Sequence, residues 1–586
     1  MRDVETEARA WAASDPDDAD RAELERLLAD TGDDARRELA DRFAGRLVFG
    51  TAGLRGAIGA GPNRMNRAVV RATTAAVARW LLEHRAGAAA AGVVIGCDAR
   101  HRSAELADEA TGVLAGARLV VHRLPDRSPT PVLAYAVRHL GAAAGVMITA
   151  SHNPATDNGY KLYLGDGAQI VPPIDAEIEA LVASVGPITR IPVAALPSRL
   201  VQRHGDEVRD AYLRAVLSAV PPARRPPEPL SVVYTPLHGV AGGVLLEAFR
   251  LAGYPSPTVV ASQAQPDPDF PTAPFPNPEE PGALDRAVHE ARRAGADLVL
   301  ANDPDGDRLA VAILDASYDG GWRRLSGDEL GVLLGSFVLE HVLEHLDDAA
   351  ASGRTTAPHP RSHAPGRPLV ATSIVSSAML EKVAGAAHAS FVATLTGFKW
   401  IVRSVDAVPG SRFVFGYEEA LGYAIGDVVR DKDGIGASLC VMALAGELRA
   451  RGSSLAERLD DLAVTFGLHQ TAQHSIPSRD PGALMTRLRA AMPADIAGRR
   501  VVRTLDLAGG AVWQEGLPPL PPADVLGFWL SSGARVLVRP SGTEPKLKCY
   551  VEVVREVGDG DLHRARGEAA AELAALESAL ATMLAG

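Results

Sequence analysis

The chain has 586 residues, too many for one hydrophobic core, so three or four domains are expected. Its formal net charge of −12 argues against a nucleic-acid or anionic-membrane partner. No apolar run approaches the roughly 20 residues that span a bilayer. The start, Met1-Arg2-Asp3-Val4-Glu5, shows no apolar h-region, so no signal peptide is expected. The three cysteines, Cys97, Cys440 and Cys549, form neither a metal spacing nor a disulfide framework, so a cytoplasmic protein is expected.

Lysine usage is informative. The chain has only six lysines, at 161, 382, 399, 432, 546 and 548, against 54 arginines. Arginine serves wherever a generic positive charge suffices. The surviving lysines mark places where a compact charge able to give up a proton is needed, and five of the six fall in the motifs below.

Taken in order, residues 1–45 are acidic and helical, with a capped start expected at Asp20 and an apolar stripe of Leu24, Leu27 and Leu28. They read as an extension packed on the first domain. In Phe49-Gly50-Thr51-Ala52-Gly53-Leu54-Arg55-Gly56, glycines at three-residue spacing let backbone N–H groups converge on an anion, and Arg55 adds a fork of donors. The turn is neither a P-loop nor a dinucleotide fingerprint. Next come a helix over 66–84, a strand over 93–96, a helix over 103–117 and a strand over 119–121. This rhythm implies a mostly parallel sheet.

The strand Gly145–Ile148 then delivers Thr149-Ala150-Ser151-His152-Asn153-Pro154, and Pro154 ends any regular ladder. Ser151 thus sits on a turn at a strand end. A bare serine is a poor nucleophile, and His152 and Lys161 stand close in sequence to assist it. Pro-rich stretches near 186–197 and 220–229 look like boundaries or exposed loops.

A second α/β unit begins at Leu230–Tyr234 and leads into Thr235-Pro236-Leu237-His238-Gly239. After a Pro/Asp-rich loop and a helix over 282–294, the strand Asp297–Ala301 delivers Asn302-Asp303-Pro304-Asp305-Gly306-Asp307-Arg308. Ligands bind α/β sheets at such carboxyl strand ends. A curled loop can converge Asp303, Asp305 and Asp307 on one cation, and all-oxygen ligands suit Mg²⁺, Mn²⁺ or Ca²⁺ rather than zinc. An EF-hand fails: Gly306 falls at loop position four rather than six, and Leu314 stands where a glutamate is required.

A third unit opens with a long helix over 328–345, followed by a flexible loop at 348–367 that is not a histidine metal site. It carries Thr396-Gly397-Phe398-Lys399-Trp400, then Tyr417-Glu418-Glu419-Ala420, then Arg430-Asp431-Lys432-Asp433-Gly434. Paired carboxylates beside an aromatic suit sugar hydroxyls. Glu418-Glu419 also reads as a helix N-terminus that favours negative charge, and the two readings are compatible. After about 452, a helix over 454–463 leads to strands. The strand Ala534–Val538 delivers Arg539-Pro540-Ser541-Gly542-Thr543-Glu544-Pro545-Lys546, a phosphate-binding loop. The strand Lys548–Val554 and a helix over 564–583 close an α+β domain.

A candidate nucleophile, a divalent-metal loop, a sugar-suited carboxylate pair and a phosphate cradle point to phosphoryl transfer on a sugar phosphate. The rivals are a metal-dependent sugar-phosphate phosphatase, a non-catalytic sugar-phosphate-binding protein and a Ca²⁺-binding structural module.

The chain resembles the α-D-phosphohexomutase superfamily, most of all its phosphoglucomutase-2/phosphopentomutase-like branch and the bacterial α-phosphoglucomutases. The resemblance rests on GTAGLRG at 50–56, TASHNP at 149–154 with NGYK at 158–161, TPLHG at 235–239, DPDGDR at 303–308, TGFKW at 396–400, EEALGY at 418–423, KDG at 432–434 and RPSGTEPKLK at 539–548. It implies an α/β protein: three related mixed α/β domains plus a C-terminal α+β domain around a central cleft. Expected boundaries are a helical extension over 1–45, then domains over 46–205, 206–320, 321–451 and 452–586. It implies a phosphorylated Ser151 and one Mg²⁺ held by Asp303, Asp305, Asp307 and a phosphoserine oxygen. It also implies glucose 1,6-bisphosphate as intermediate and activator. Lys161 and Lys432 are the proton-transfer candidates, His152 adjoins the nucleophile, and Arg55 and Arg308 surround the moving phosphoryl group. Thr396, Gly397 and Lys399 would read sugar orientation. Glu418 and Glu419 would meet hydroxyls, and Arg539, Ser541, Gly542, Thr543 and Lys546 would hold the distal phosphate. The expected partners are small sugar phosphates, with no nucleic acid and no membrane, and the protein is expected as a monomer or homodimer. Ala420 departs from the Glu-x-Ser of several branches, which leaves glucose, mannose and pentose phosphates open.

Overall fold

The computed structural model describes residues 4–50, 53–222, 229–351, 366–478, 480–542, 546–558 and 561–585. The chain divides into two compact units: 1–219 with 230–310 and 428–439, and 220–229 with 311–427 and 440–586.

In the first unit, the helices Val4–Ser14, Asp18–Ala29 and Asp33–Arg42 close a small core of Ala8, Ala12, Leu24, Leu39, Phe43 and Ala60. The second helix starts earlier than expected. Asp17 is its cap, accepting from the N–H groups of Ala19 and Asp20. Asp20 is instead drawn to Arg102 at 2.8 Å, one of the contacts that dock the extension on the domain behind it.

That domain is a six-stranded sheet in the order Leu54–Ala57, Asp157–Leu164, Ala144–Ile148, Val93–Cys97, Val121–Arg123, Val201–Arg203. The last four strands run parallel, while Asp157–Leu164 and Leu54–Ala57 are antiparallel additions. The apolar runs at 93–97 and 144–148 are buried throughout, as a sheet covered on both faces requires. The strand expected at 119–121 lies at Val121–Arg123. Leu119 and Val120 form its approach, and the polar His122 and Arg123 are buried within it, so the apolar pattern pointed two residues early. Three parallel strands follow, Val232–Thr235, Thr258–Val259 and Leu298–Asn302, with helices Gly242–Ala252 and Asp285–Ala294. The expected 282–294 helix thus begins at Asp285.

The second unit opens with the end of the strand Leu309–Leu314, paired antiparallel with Trp322–Arg324, and the helix Gly327–Ala351. Its four-stranded sheet has the order Ser390–Thr394, Arg367–Ser373, Ser411–Glu418, Gly422–Ile425, with three parallel strands and one antiparallel. Most of the expected loop at 348–367 lies outside the described residues. A six-stranded antiparallel sheet follows, in the order Leu468–Pro477, Lys546–Arg555, Arg535–Pro540, Leu526–Leu530, Arg499–Asp506, Asp495–Ile496. The helix Leu562–Ala585 packs on it through Ala569, Leu576 and Leu580. Three mixed α/β sheets and a fourth antiparallel one give the expected fold class.

Candidate active site

Ser151 follows directly from the end of the buried strand Ala144–Ile148. It is 1% exposed, with a positive φ of 54°, a conformation a non-glycine residue holds only where its surroundings enforce it. The enforcing contacts are specific. The Ser151 N–H donates to Thr149 Oγ1 (2.8 Å), and Thr149 Oγ1 donates to Asp98 Oδ2 (2.6 Å). Arg100 donates to the carbonyls of Ser151 and Asn153 (each 2.6 Å) and of Pro154 (2.7 Å). Asp98 and Arg100 end the strand Val93–Cys97, which lies beside Ala144–Ile148. One arginine therefore ties down the whole turn. Neither residue was among the sequence candidates; their position after a buried strand next to the serine strand was the available signal.

Ser151 Oγ donates to Asp303 Oδ2 at 2.8 Å and lies 3.3 Å from His152 Nδ1. Burial, with Arg308 and Arg55 nearby, pushes the His152 imidazole well below its usual range, so the ring is neutral.

The loop after the strand Leu298–Asn302 curls as the alternating aspartates suggested. Asp303, Asp305 and Asp307 are fully buried, and one oxygen from each lies within 4.8 Å of the others. Gly239 explains the TPLHG motif: a Cβ there would meet Pro304 Cα at 2.4 Å, so only glycine lets this turn back the loop. Thr130 Oγ1 donates to Asp305 Oδ2 (2.7 Å). Lys161 Nζ reaches Asp305 Oδ2 (2.7 Å) and Asp307 Oδ2 (2.8 Å), and Lys432 Nζ reaches Asp307 Oδ2 (3.2 Å). Burial favours a neutral Lys161, but Asp305 and Asp307 outweigh it and raise the ammonium's pKa. Burial, then the neighbouring carboxylates of Asp305 and Asp307, pushes Asp303 well above the usual carboxylate range. Asp305 Oδ1 and Asp307 Oδ1 are buried and accept no hydrogen bond. Open carboxylate oxygens in a buried, mutually repelling all-oxygen set fit a hard divalent cation such as Mg²⁺.

Arg308 donates from its N–H to Asp303 Oδ1 (2.9 Å) and from its guanidinium to Glu279 (2.9 Å). Arg55 lies on the antiparallel strand Leu54–Ala57 and reaches Asn153 Oδ1 (3.2 Å), while its buried Nε donates to nothing. Thr51 and Ala52 of the glycine turn lie outside the described residues. Lys432 is framed by Asp431, which accepts from Tyr163 OH and Gln169 Nε2 (each 2.7 Å), and by Asp433, which accepts from Tyr212 OH (2.7 Å). The first unit thus brings together Ser151, His152, Lys161, Lys432, Arg55, Arg308 and the three aspartates.

The second unit carries the remaining candidates. Glu418 ends the strand Ser411–Glu418 and Glu419 follows it, so neither starts a helix. Glu418 Oε1 accepts from the Gly397 N–H (2.6 Å), which fixes the Thr396-Gly397 loop. Gly397 has φ 118°, open only to glycine, and the buried Thr396 Oγ1 has no partner. Glu419 Oε2 accepts from Ser373 (3.0 Å) and Ser376 (3.1 Å). Lys399 lies in the short helix Phe398–Ile401. Arg539 ends the strand Arg535–Pro540 beside Lys548, and the Ser541 N–H closes the loop onto the Lys546 carbonyl (2.9 Å). Thr543 lies outside the described residues, next to Gly542.

Four domain models of phosphoglucomutase/phosphomannomutase match the chain in order: α/β/α domain I at 46–187, domain II at 210–316, domain III at 349–466 and the C-terminal domain at 494–559. The chain is 39% identical over 497 residues to a Haemophilus influenzae protein named probable phosphomannomutase, covering 83% of this chain and 93% of that one. It is 35% identical over 571 residues to a Schizosaccharomyces pombe protein named probable phosphoribomutase, covering 92% of each. The solved open form of Paramecium parafusin, a phosphoglucomutase, superimposes with a TM-score of 0.64 at 17% identity. That likeness of fold covers 93% of this chain and 96% of that one. No helix among the described residues is long and apolar enough to cross a membrane.

Proposed function

We propose that this chain, which belongs to the phosphoglucomutase/phosphomannomutase family, interconverts hexose 1-phosphate and hexose 6-phosphate, glucose before mannose, through a phosphorylated Ser151 and a bound 1,6-bisphosphate. It is a phosphomutase, an intramolecular phosphotransferase. The observation that carries the residue assignment is the Ser151 hydroxyl, 2.8 Å from Asp303 at a buried cluster of three carboxylates and two lysines. The proposed domain division remains 1–45, 46–205, 206–320, 321–451 and 452–586.

In this reading Ser151, phosphorylated, gives its phosphoryl group to the free hydroxyl of the sugar phosphate. The Ser151 Oγ–P bond breaks and a sugar O–P bond forms. Lys161, held protonated by Asp305 and Asp307, donates its proton to the departing Ser151 oxygen, and Lys432, which must enter the step as the neutral amine, takes the proton of the attacking hydroxyl. Arg55 and Arg308 face the phosphoryl oxygens as charge develops. Asp303, Asp305 and Asp307 would hold Mg²⁺, which supplies Lewis acidity at the phosphoryl oxygens when bound. The bisphosphate then reorients and returns its other phosphate to Ser151. Thr396, Gly397, Glu418 and Glu419 contact the sugar, with Lys399 beside them. Arg539, Ser541, Gly542, Thr543 and Lys546 hold the phosphate that is not moving.

A second reading, ribose 1-phosphate to ribose 5-phosphate, is favoured by the match over 92% of the chain to the phosphoribomutase relative. A coupled assay with Mg²⁺ and a trace of glucose 1,6-bisphosphate, comparing kcat/KM for glucose, mannose and ribose 1-phosphates, separates the two. Preference for a hexose supports the first reading and preference for ribose the second. Release of inorganic phosphate as main product would overturn both in favour of a phosphatase.

A further inference from the structure

Glu419 and the Arg539 loop are linked by buried polar groups that the reaction does not itself use. Glu419 Oε2 accepts from Ser376 Oγ, and the Ser376 carbonyl accepts from Arg535 Nη2 at 2.7 Å. The same nitrogen lies 2.8 Å from Glu552 Oε2. Glu552 Oε1 accepts from Ser377 Oγ and the Ala378 N–H, each at 2.8 Å, and pairs with His469 Nδ1 at 2.8 Å. Opposing charges and these donors hold Glu552 low, at about 2, despite burial that works to raise it.

Arg535 and Glu552 face each other across neighbouring strands, as do Leu537 with Tyr550 and Arg539 with Lys548. Alternation along a strand puts Arg535, Leu537 and Arg539 on one face. Leu537 and Tyr550 pack against Ile374, Val375 and Leu395, and Leu395 directly precedes Thr396. Successive rungs of one ladder therefore clamp the 373–378 turn, pack the root of the 396–397 loop and open the phosphate loop. Arg539 Cα stands about 13 Å beyond Arg535 Cα at the usual rise per residue.

We propose that the Arg535–Glu552 pair is a positioning and specificity element that fixes the spacing between the sugar-contacting Glu419 and the phosphate loop at Arg539. The inference rests on the sugar and phosphate roles proposed above. A fixed spacing selects ligands by length. A six-membered hexose ring and a five-membered pentose ring place their hydroxyls at different distances from the exocyclic phosphate, so a rigid clamp between a hydroxyl-binding carboxylate and the phosphate loop accepts one and strains the other. The same spacing serves both orientations of one bisphosphate.

The test is the ratio of kcat/KM for glucose 1-phosphate and ribose 1-phosphate in wild type, Arg535→Met, Arg535→Lys and Glu552→Gln. The Met and Gln variants are expected to move the ratio about tenfold toward unity, mainly through KM, with Lys intermediate. Combining Arg535→Met with Glu552→Gln should add little, because both break one link. Equal loss on both sugars, tracking a lowered Tm, would overturn the proposal by reducing the pair to a stability element. Dissociation constants for glucose 1,6- and ribose 1,5-bisphosphates on the same proteins read the spacing without turnover. A wild-type chain inactive on every sugar phosphate then overturns the catalytic reading alone, while unchanged discrimination between the two bisphosphates in the variants overturns the spacing element.

Discussion

The Ser151 centre and the loops proposed to hold sugar and phosphate are built on opposite principles. Around Ser151, charges pair directly: two lysines meet carboxylates whose remaining oxygens stay open. In the second unit, Glu418 and Glu419 are anchored by neutral donors, a backbone N–H and two serine hydroxyls. Those donors fix where the two carboxylates stand. Direct pairing leaves the lysine and aspartate charges largely satisfied by one another. In the proposed reading, chemistry is placed where buried charges pair, and recognition where neutral donors fix the carboxylates.

If that contrast holds, damage to the first region costs turnover and damage to the second costs discrimination. The largest effect is expected from Ser151→Ala, which should lower kcat by about a thousandfold or more with the fold intact. Retained turnover would remove Ser151 from the chemistry. Next, Asp305→Asn takes one of two carboxylates from the buried Lys161, and removing one partner of a buried pair costs about 3–5 kcal/mol. A large fall in Tm together with lost Mg²⁺ binding is expected, and an unchanged Tm would show that Lys161 does not depend on the pair. Arg100→Met frees three carbonyls of the serine turn, and a misplaced nucleophile is expected to cost on the order of 100-fold in kcat with little change in KM. An effect on KM alone would contradict the positioning role.

The smallest effect concerns pH. Burial, against donors from Ser377 and Thr471, raises the Asp328 carboxyl to about 7. The folded chain therefore binds a proton that the unfolded chain has lost, so this group's contribution to stability is present below about pH 4 and fades as pH rises toward 7. Asp328→Asn should flatten that part of the profile measured by denaturant titration. A slope identical to wild type would show that Asp328 is ionised throughout.

Local chemistry was legible in the sequence wherever a motif is contiguous. The strand feeding Ser151, the curled aspartates and the phosphate loop's strand all follow from apolar runs ending in turn residues. What stayed hidden depends on partners distant in sequence. Arg100 ties down a turn more than fifty residues on, Thr130 caps Asp305, and Tyr163 with Gln169 frames Asp431. No spacing encodes such contacts, because the parallel sheet that creates them joins strands separated by whole helices. Periodicity also misplaced the strand at 121–123, whose buried His122 and Arg123 break the apolar pattern. Competing aspartates likewise misplaced the cap at Asp17. Glu418-Glu419 also read as a helix start, and pairing with Gly422 places Glu418 at a strand end.

The most direct test of the account is to incubate the wild-type chain with glucose 1,6-bisphosphate carrying labelled phosphate and Mg²⁺, then locate the label by peptide mass spectrometry. The account predicts one labelled site, at Ser151, whose phosphate passes quantitatively to added glucose 1-phosphate without release of inorganic phosphate. Label on another residue, or its loss to water in place of transfer to sugar, would contradict it.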